Sequence, residues 1–277
     1  MNKRKLAKII GVCTMAITIV VAITILPSCD STTPLVTLDC TDHTTNSLTA
    51  HATVNSLEAG PLSRRGFVYE EGTEGDPELN IVPLVNPSFE DGDPPTGWST
   101  IYATGVRSTE QVKLGSYSAN VTQAIAGERG FIGVALNLSE YRGKTITLGV
   151  WIWCDTADRA RITLADKVGG IWDLTFSSYH PGDSEWHFLT VTRTIRTNSD
   201  DSWVQPLRIE GGASIISAYA DGAVLVENAV FEDGQFGTGE YSLVITGLKP
   251  DTSYRVRAFV ENEAGISYGN VVSCKTL

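Results

Sequence analysis

The sequence lacks the motifs of common catalytic sites. It contains no Gly-x-Ser-x-Gly nucleophile elbow, no His-Glu-x-x-His zinc motif and no phosphate-binding loop. Its four histidines fall in two separate neighbourhoods without the spacing of metal ligands. A glycosidase needs only two carboxylates, and 32 acidic residues leave that alternative open. We nevertheless predict a protein that is not an enzyme.

Positive charge is also scarce. Lys and Arg number 21 against 32 Asp and Glu, which gives a net charge of −11. Lys3, Arg4, Lys5 and Lys8 all precede the first apolar run, so the rest of the chain is more acidic still. Such a surface argues against nucleic acid as a partner, and it disfavours anionic polysaccharides and membrane faces.

The N-terminal segment is typical of an export signal. Its basic residues precede an apolar run from Ile9 to Leu26. Because that run is nearly long enough to span a membrane, an uncleaved anchor helix is the alternative.

The run is followed by Pro27-Ser28-Cys29, and the whole junction resembles the lipobox of bacterial lipoproteins. The resemblance implies a signal peptide over 1–28, lipidation of Cys29 and a tether over 29–33. It also implies an exported lipoprotein, anchored to the membrane at the outer membrane or cell surface. Pro27 departs from the small residue usual at its position, so a plain signal with an incidental cysteine is the alternative.

The exported part is predicted to be all-β. Short alternating segments rich in Val, Ile, Thr and aromatic residues, bounded by Gly, Asn and Asp, are typical of strands. Clear cases are 47–55, 145–153, 185–194 and 253–261. No convincing amphipathic helix follows Cys29, so we expect one or two sandwiches.

The two ends of the chain resemble the two halves of one fibronectin type III domain. Leu248, Pro250 and Tyr254 have the spacing of its tyrosine corner, in which a phenol bonds back to the preceding loop. The sequence from Arg65 to Tyr69 reads RGFVY, as in bacterial surface variants of that family. This resemblance implies an immunoglobulin-like sandwich made of residues 34–79 and 236–277.

The stretch between those halves, 80–235, resembles the carbohydrate-binding modules of the family 4/9/22 (CenC) type. Five short pieces appear in the order of that family and cover nearly the whole stretch. They are Asn86–Gly92 with Gly97-Trp98, Gly115–Ser118, Tyr141–Trp153, Trp186 and Tyr219–Asp221. The resemblance implies a galactose-binding-like β-jelly roll inserted into the sandwich.

Trp151 and Trp153 are the first candidates for ligand contact. In the strand 146–154 they alternate with aliphatic residues, so they point away from the core face. That opposite face is the concave groove in the resembled family, where flat rings stack on sugars. The alternative is that another layer covers both indoles.

Further ligand candidates are predicted in loops and on one later strand. Trp172, Tyr179 and Trp203 lie in or beside predicted loops, where they could contact a ligand at the groove edge. Leu207 and Ile209 read as inward residues, which turns Arg208 and Glu210 toward the groove face. An outward salt bridge of little energetic value is the alternative for that pair.

Glu90 and Asp221 are the candidate metal ligands. Both match carboxylates that help hold a structural Ca²⁺ ion in the resembled modules, and Ca²⁺ takes six or more oxygen ligands. Asp221 is followed by Gly222 where the family usually has a second Asp. A simple hydrogen-bonded turn is the alternative.

Three cysteines remain after the signal and the predicted lipidation site, so at least one stays unpaired within the chain. Cys40 and Cys274 fall on the first and last strands of the predicted sandwich. A disulfide between them would leave Cys154 free, and two separate buried thiols are the alternative.

Together these features predict non-catalytic binding of a neutral glycan at the bacterial cell surface, through an aromatic groove on the inserted module. The alternative is a structural or adhesive surface protein that binds another protein and no sugar. Fold resemblance does not choose between them, because this jelly roll hosts many ligands.

Overall fold

The computed structural model describes residues 33–57 and 60–277. The predicted signal peptide, the predicted lipidation site Cys29 and nearly all of the predicted tether lie outside them. Among the described residues no helix is both long and apolar enough to cross a membrane. The regular structure consists almost entirely of strands, which confirms the predicted all-β class.

The elements follow one another along the chain, and the longest connection is the stretch 83–98 between β4 and β5. The first nine strands and the short helix α1 are β1 (Leu35–Thr41), β2 (Ser47–Val54), β3 (Leu62–Glu71), β4 (Asn80–Val82), β5 (Ser99–Ile101), β6 (Ala103–Ser108), β7 (Ser118–Gln123), β8 (Gly130–Ala135), α1 (Leu138–Tyr141) and β9 (Thr145–Trp153). The remaining strands are β10 (Ala160–Val168), β11 (Ile171–Phe176), β12 (Trp186–Thr194), β13 (Asp201–Ile209), β14 (Ser217–Glu227), β15 (Ala229–Phe236), β16 (Gly239–Thr246), β17 (Ser253–Asn262) and β18 (Gly265–Lys275).

Strands from both ends of the described chain form one sandwich, called here the end sandwich. One sheet has the order β1-β2-β16 and the other β15-β3-β17-β18, and all pairs are antiparallel. β2 alternates strictly between partly and fully buried residues, so its inward side chains Leu48, Ala50, Ala52 and Val54 meet the core. Neither end of the chain supplies this core alone.

The hydroxyl of Tyr254 accepts a hydrogen bond of 2.8 Å from the backbone N–H of Lys249 in the preceding loop. This is the bond expected of a tyrosine corner. The fibronectin type III assignment itself stays a prediction.

The middle of the chain forms a second sandwich, called here the central sandwich. Its sheets have the orders β11-β10-β13-β8-β5 and β12-β9-β14-β7-β6, with β4 also paired to β14. β9 lies inside the six-stranded sheet, and its aliphatic residues Ile146, Leu148, Val150 and Ile152 are fully buried in the core between the sheets. The sequence prediction of that core face is correct.

The chain enters and leaves the central sandwich side by side. Val82 in β4 pairs with Leu225 in β14, as expected for an insertion whose ends meet. The C-terminal end of the insertion differs from the predicted end at residue 235, because β15 already pairs with β3 of the end sandwich. Asn228, with a left-handed φ of 48°, makes the turn, so the chain returns there and not at residue 236.

A third apolar cluster joins the two sandwiches. Phe231 of β15 and Phe259 of β17 pack with Val226 of β14. The rings of Phe231 and Phe188 of β12 lie 5.7 Å apart. The outer face of the six-stranded sheet is therefore covered by the end sandwich where β15 crosses it.

A disulfide ties the two sheets of the end sandwich together. Cys40 of β1 and Cys274 of β18 are bonded, with Cα atoms 6.0 Å apart. Cys154 is a free, buried thiol, and its burial raises its pKa.

Candidate functional site

A groove crosses the outer face of the five-stranded sheet. Its volume is about 500 Å³. It is lined by Ile101, Arg129, Phe131, Ala165, Trp172, Leu174, Phe176, Asp201, Trp203, Gln205 and Arg208. Three sequence-predicted residues, Trp172, Trp203 and Arg208, are therefore brought together here.

Strand register explains how the groove forms. Ala165 of β10 and Ala135 of β8 stand opposite Trp203 of β13, so small neighbours leave room for the indole. A Cβ on Gly133 would lie 3.1 Å from the Trp203 ring and 2.8 Å from a backbone oxygen. A larger residue at Gly133 would therefore displace the ring from the sheet. Phe131 contacts the same indole edge-on, with ring centroids 6.0 Å apart.

Trp172 and Tyr179 are more exposed than Trp203. Trp172, on β11, lines the side of the groove beyond β10, and its exposed fraction is 39%. Lys167 pairs with Trp172 in register and places its ammonium 5.6 Å from the indole centroid. Tyr179 follows β11 and is not among the groove residues, but its ring lies 4.5 Å from the guanidinium of Arg161.

The opposite end of the groove holds a charged cluster. Glu210 accepts hydrogen bonds of 2.6 Å from the Nη2 of Arg161 and 2.6 Å from the Nε of Arg208. Burial alone would raise the pKa of Glu210, but these two arginines outweigh it and lower the pKa. The Arg161 guanidinium also stacks 3.5 Å from the centroid of Phe176. Arg208 lines the groove, whereas Glu210 is not among the groove residues, and the two form the salt bridge that was the alternative interpretation.

The floor of the groove carries a polar group without a partner. Gln205 is only 5% exposed, and among the described residues its side-chain carbonyl oxygen accepts no hydrogen bond. A buried amide oxygen without a donor is costly. A ligand hydroxyl entering the groove could supply that donor.

Several groove residues were missed from the sequence, namely Phe131, Phe176, Arg129 and Gln205, as was Arg161 of the adjoining charged cluster. A usable signal was present in β10, where Arg161, Thr163, Ala165 and Lys167 alternate with the buried Ile162 and Leu164. That pattern marks a non-core face made of small and cationic residues. Its long-range partners on β8 and β11 could not be assigned from the same pattern.

Trp151 does not line the groove, and the prediction of a sugar platform there is wrong. The residue is only 8% exposed, and its ring packs 5.4 Å from the ring of Phe188. Its indole N–H donates to Asp233 of β15 at 3.3 Å. The ammonium of Lys113 lies 3.9 Å from the ring. The indole does point away from the core face of β9, but that face is where the end sandwich packs.

Trp153 also lies on the six-stranded sheet, away from the groove. It is partly buried, and it packs edge-on against Tyr219 with centroids 5.5 Å apart. Its indole N–H donates to the backbone oxygen of Ser184 at 2.7 Å. Trp153 is therefore not part of the groove either.

Glu90 and Asp221 hold opposite ends of the same loop. Asp221 is fully buried, and one carboxylate oxygen accepts from the backbone N–H groups of Lys113 and Leu114 at 2.9 and 2.8 Å. Glu90 accepts in the same way from Ser116 and Tyr117 at 2.9 and 3.2 Å. The second oxygen of Asp221 is buried without a partner among the described residues. Burial, with a smaller contribution from the charge of Glu90, raises the pKa of Asp221 to about 6.

His180, Asp183 and His187 bring their possible metal-binding atoms within 4.8 Å of one another. The Nδ1 of His180 accepts from the N–H of Gly182 at 2.9 Å, so its Nε2 carries the proton and donates to the oxygen of Glu185 at 3.0 Å. His180 thus has no free lone pair. We interpret it as a structural histidine beside the hydrogen bond between Asp183 and His187.

Comparisons with models of protein families and with curated proteins find no match. Among solved structures, this chain is similar to a xylan-binding domain of carbohydrate-binding-module family 22, with 19% identity and a TM-score of 0.44 over 51% of this chain and 92% of that one. It is also similar to the C-terminal family 22 module of Clostridium thermocellum Xyn10B, with 18% identity and a TM-score of 0.42 over 53% and 97%. A third likeness is TmCBM61 in complex with β-1,4-galactotriose, with 18% identity and a TM-score of 0.36 over 51% and 95%.

Proposed function

We propose that this protein binds a polysaccharide, without catalysing a reaction on it, through the groove of the five-stranded sheet. The observation that carries the proposal is the combination of indole rings with fixed polar groups in one groove. Trp203 and Trp172 offer flat apolar surfaces, while Arg208 and Gln205 offer hydrogen-bonding groups beside them. Rings give contact area at low entropic cost, and a few oriented polar groups give specificity.

The dimensions of the groove suit a glycan. A volume of about 500 Å³ lies within the usual range of ligand pockets, which is roughly 300–1,000 Å³. The uncharged faces of sugar rings are suited to stacking on Trp203 and Trp172.

Glu210, the carboxylate beside the groove, is not suited to be the acid of a glycosidase. A glycosidase needs one carboxylic acid with a raised pKa to protonate the leaving group. The pKa of Glu210 is lowered, because Arg161 and Arg208 hold its charged form. Glu210 is therefore suited to orienting an arginine and not to donating a proton.

Replacing Trp203 by alanine tests the proposal. We expect Trp203→Ala to weaken binding to an array-selected glycan by at least about tenfold, because loss of an anchoring aromatic ring costs about 2 kcal/mol or more. Calorimetric titration measures the change. Trp153→Ala is the matched control, since it removes the same side chain from the other sheet and should leave affinity unchanged.

Loss of binding in both variants would contradict the assignment of the groove. If the wild-type protein binds no glycan on a broad array, the adhesive or structural alternative replaces the proposal. Fluorescence of Trp203→Ala at equilibrium in urea checks that the variant is folded.

We also propose one structural Ca²⁺ ion at Glu90 and Asp221. The unpartnered buried oxygen of Asp221 and the nearby charge of Glu90 fit a cation, which would supply the missing partner. Saturating Ca²⁺ should raise the melting temperature by several degrees, since binding at 100 times the dissociation constant contributes about 2.7 kcal/mol.

The Ca²⁺ shift should disappear in Asp221→Asn and persist in Asp251→Asn, which changes an exposed carboxylate elsewhere. A melting temperature of the wild-type protein that does not respond to Ca²⁺ or to a chelator would show that Glu90 and Asp221 only organise the loop.

We further propose that the protein is exported and held at the cell surface by a lipid on Cys29. The support is the lipobox-like sequence, and the groove would then face extracellular glycans.

A further inference from the structure

One end of the groove carries more positive charge than its carboxylates balance. Arg161 of β10, Arg208 of β13 and Phe131 of β8 lie side by side across three strands. Both guanidinium groups bind the same carboxylate, that of Glu210. The carboxylate of Glu210 therefore neutralises only one of the two guanidinium charges.

Arg208, one of these cations, is shielded from water. Arg208 is only 7% exposed, and within the part of the chain that the structure describes Glu210 is its one acidic partner. Arg129 lines the same end of the groove, because the residue after it, Gly130, pairs with Ile209. Arg129 is exposed and forms no ion pair with any described residue. The charge at this end thus faces the groove.

At the other end of the groove, the positive and negative charges are equal in number. Asp201 is paired in register with Lys167, beside the ring of Trp172. Cationic and aromatic groups are therefore separated along the groove, with Trp203 between the two ends. A ligand matching this order has an apolar ring face in the middle and an anionic group at the end near Arg208.

We propose that the groove binds glycans that carry a uronic acid. This inference rests on the proposed function and narrows its ligand class. The carboxylate binds the guanidinium of Arg129 through two parallel hydrogen bonds, and it also contacts Arg208, whose Nε and Nη2 are already bonded to Glu210. A neighbouring sugar ring stacks on Trp203. A glycan with a uronic acid differs from the neutral glycan that the net negative charge predicts. Salt screens surface charges that lie more than about 8 Å from the groove, so the net charge has little effect on a ligand inside it.

Matched polysaccharide pairs test the inference. Homogalacturonan, polymannuronate and a glucuronic acid-substituted xylan are each compared with their own carboxyl-reduced form by calorimetric titration. Reduction removes the charge and keeps the ring and the linkage. We expect at least one native glycan to bind roughly tenfold or more tightly than its reduced form.

Variants locate the carboxylate contact. Arg129→Gln, which changes an exposed residue, should remove most of the difference between native and reduced glycan. Arg208→Lys keeps the charge but loses the fork of donors, and it should weaken binding of the native form selectively. Lys249→Gln, an exposed lysine on the end sandwich, is the control and should change neither affinity.

The outcomes separate this inference from the proposed function. Equal affinity for native and reduced forms, with binding still lost in Trp203→Ala, would overturn the uronic acid assignment alone. Equal binding of a sulfated glycan would show general attraction of anions and would overturn it as well. Absence of binding to every glycan would overturn both.

Discussion

Trp151→Ala is expected to destabilise the protein and to leave glycan binding in the groove intact. The indole is 8% exposed and lies between the central and end sandwiches, against Phe188 and Asp233. Replacing a buried aromatic residue by alanine costs about 3–5 kcal/mol, because contacts are lost and a cavity remains. Equilibrium unfolding in urea measures the loss as a lower transition midpoint.

Trp172→Ala is the matched control for that experiment. It removes an indole that is 39% exposed, so the urea midpoint should move little. Glycan titration completes the comparison, since Trp151→Ala should bind normally below its unfolding transition. If the Trp151→Ala protein is as stable as the wild type but no longer binds the glycan, the binding site lies on the six-stranded sheet and not in the groove.

Replacement of Asp166 should have an effect of similar size. Asp166 is fully buried and accepts hydrogen bonds from Arg193 at 2.5 Å, Arg196 at 2.8 and 2.9 Å, and Ser199 at 2.9 Å. Arg193 comes from β12, so the pair joins the two sheets of the central sandwich. Asp166→Ala leaves the Arg193 side chain, 8% exposed, with only the exposed Asp173 as a partner, at 2.9 Å. Breaking a buried pair costs about 3–5 kcal/mol, and because Asp173 remains we expect the lower end of that range.

The pKa of Asp166 also predicts how the stability of the protein changes in acid. Burial alone would raise its pKa, but the hydrogen bonds from Arg196, Ser199 and Arg193 outweigh burial and lower the pKa to about 2. Because the pKa is lower in the folded protein than in the unfolded chain, the stabilisation is present above pH 4. It is lost between about pH 4 and pH 2, and it amounts to roughly 2–3 kcal/mol.

Urea midpoints measured from pH 7 to pH 2 test this sign. Asp166→Asn should flatten the decline below pH 4, whereas Asp251→Asn, which changes an exposed carboxylate, should keep it. An acid response in Asp166→Asn identical to that of the wild type would assign the decline to other groups.

Local patterns were sufficient to predict much of this fold. The alternation in β9 identified the aliphatic core face, and the spacing of Leu248 and Tyr254 located a tyrosine whose bond to Lys249 is present. The pairing of Cys40 with Cys274, left open by the sequence, is formed.

The location of the groove could not be predicted in the same way. The sequence shows that the Trp151 side chain points away from the core of the central sandwich, but it does not show which strand packs on that side. That layer is β15, whose residues 229–235 belong to the predicted insert 80–235 but pair with β3 of the end sandwich. Trp203, which lines the groove, was placed in or beside a loop, although it lies within β13.

The bond between Cys40 and Cys274 has a mechanical consequence. A pull applied at residues 33 and 277 reaches the disulfide after only a few residues at each side, and the covalent link then carries the load. Residues 41–273, which include the groove, lie outside that path. Stretching the chain in this direction would therefore unravel short end segments while the five-stranded sheet keeps its shape. The groove would be force-insensitive under such tension, and chemical reduction would make it force-sensitive.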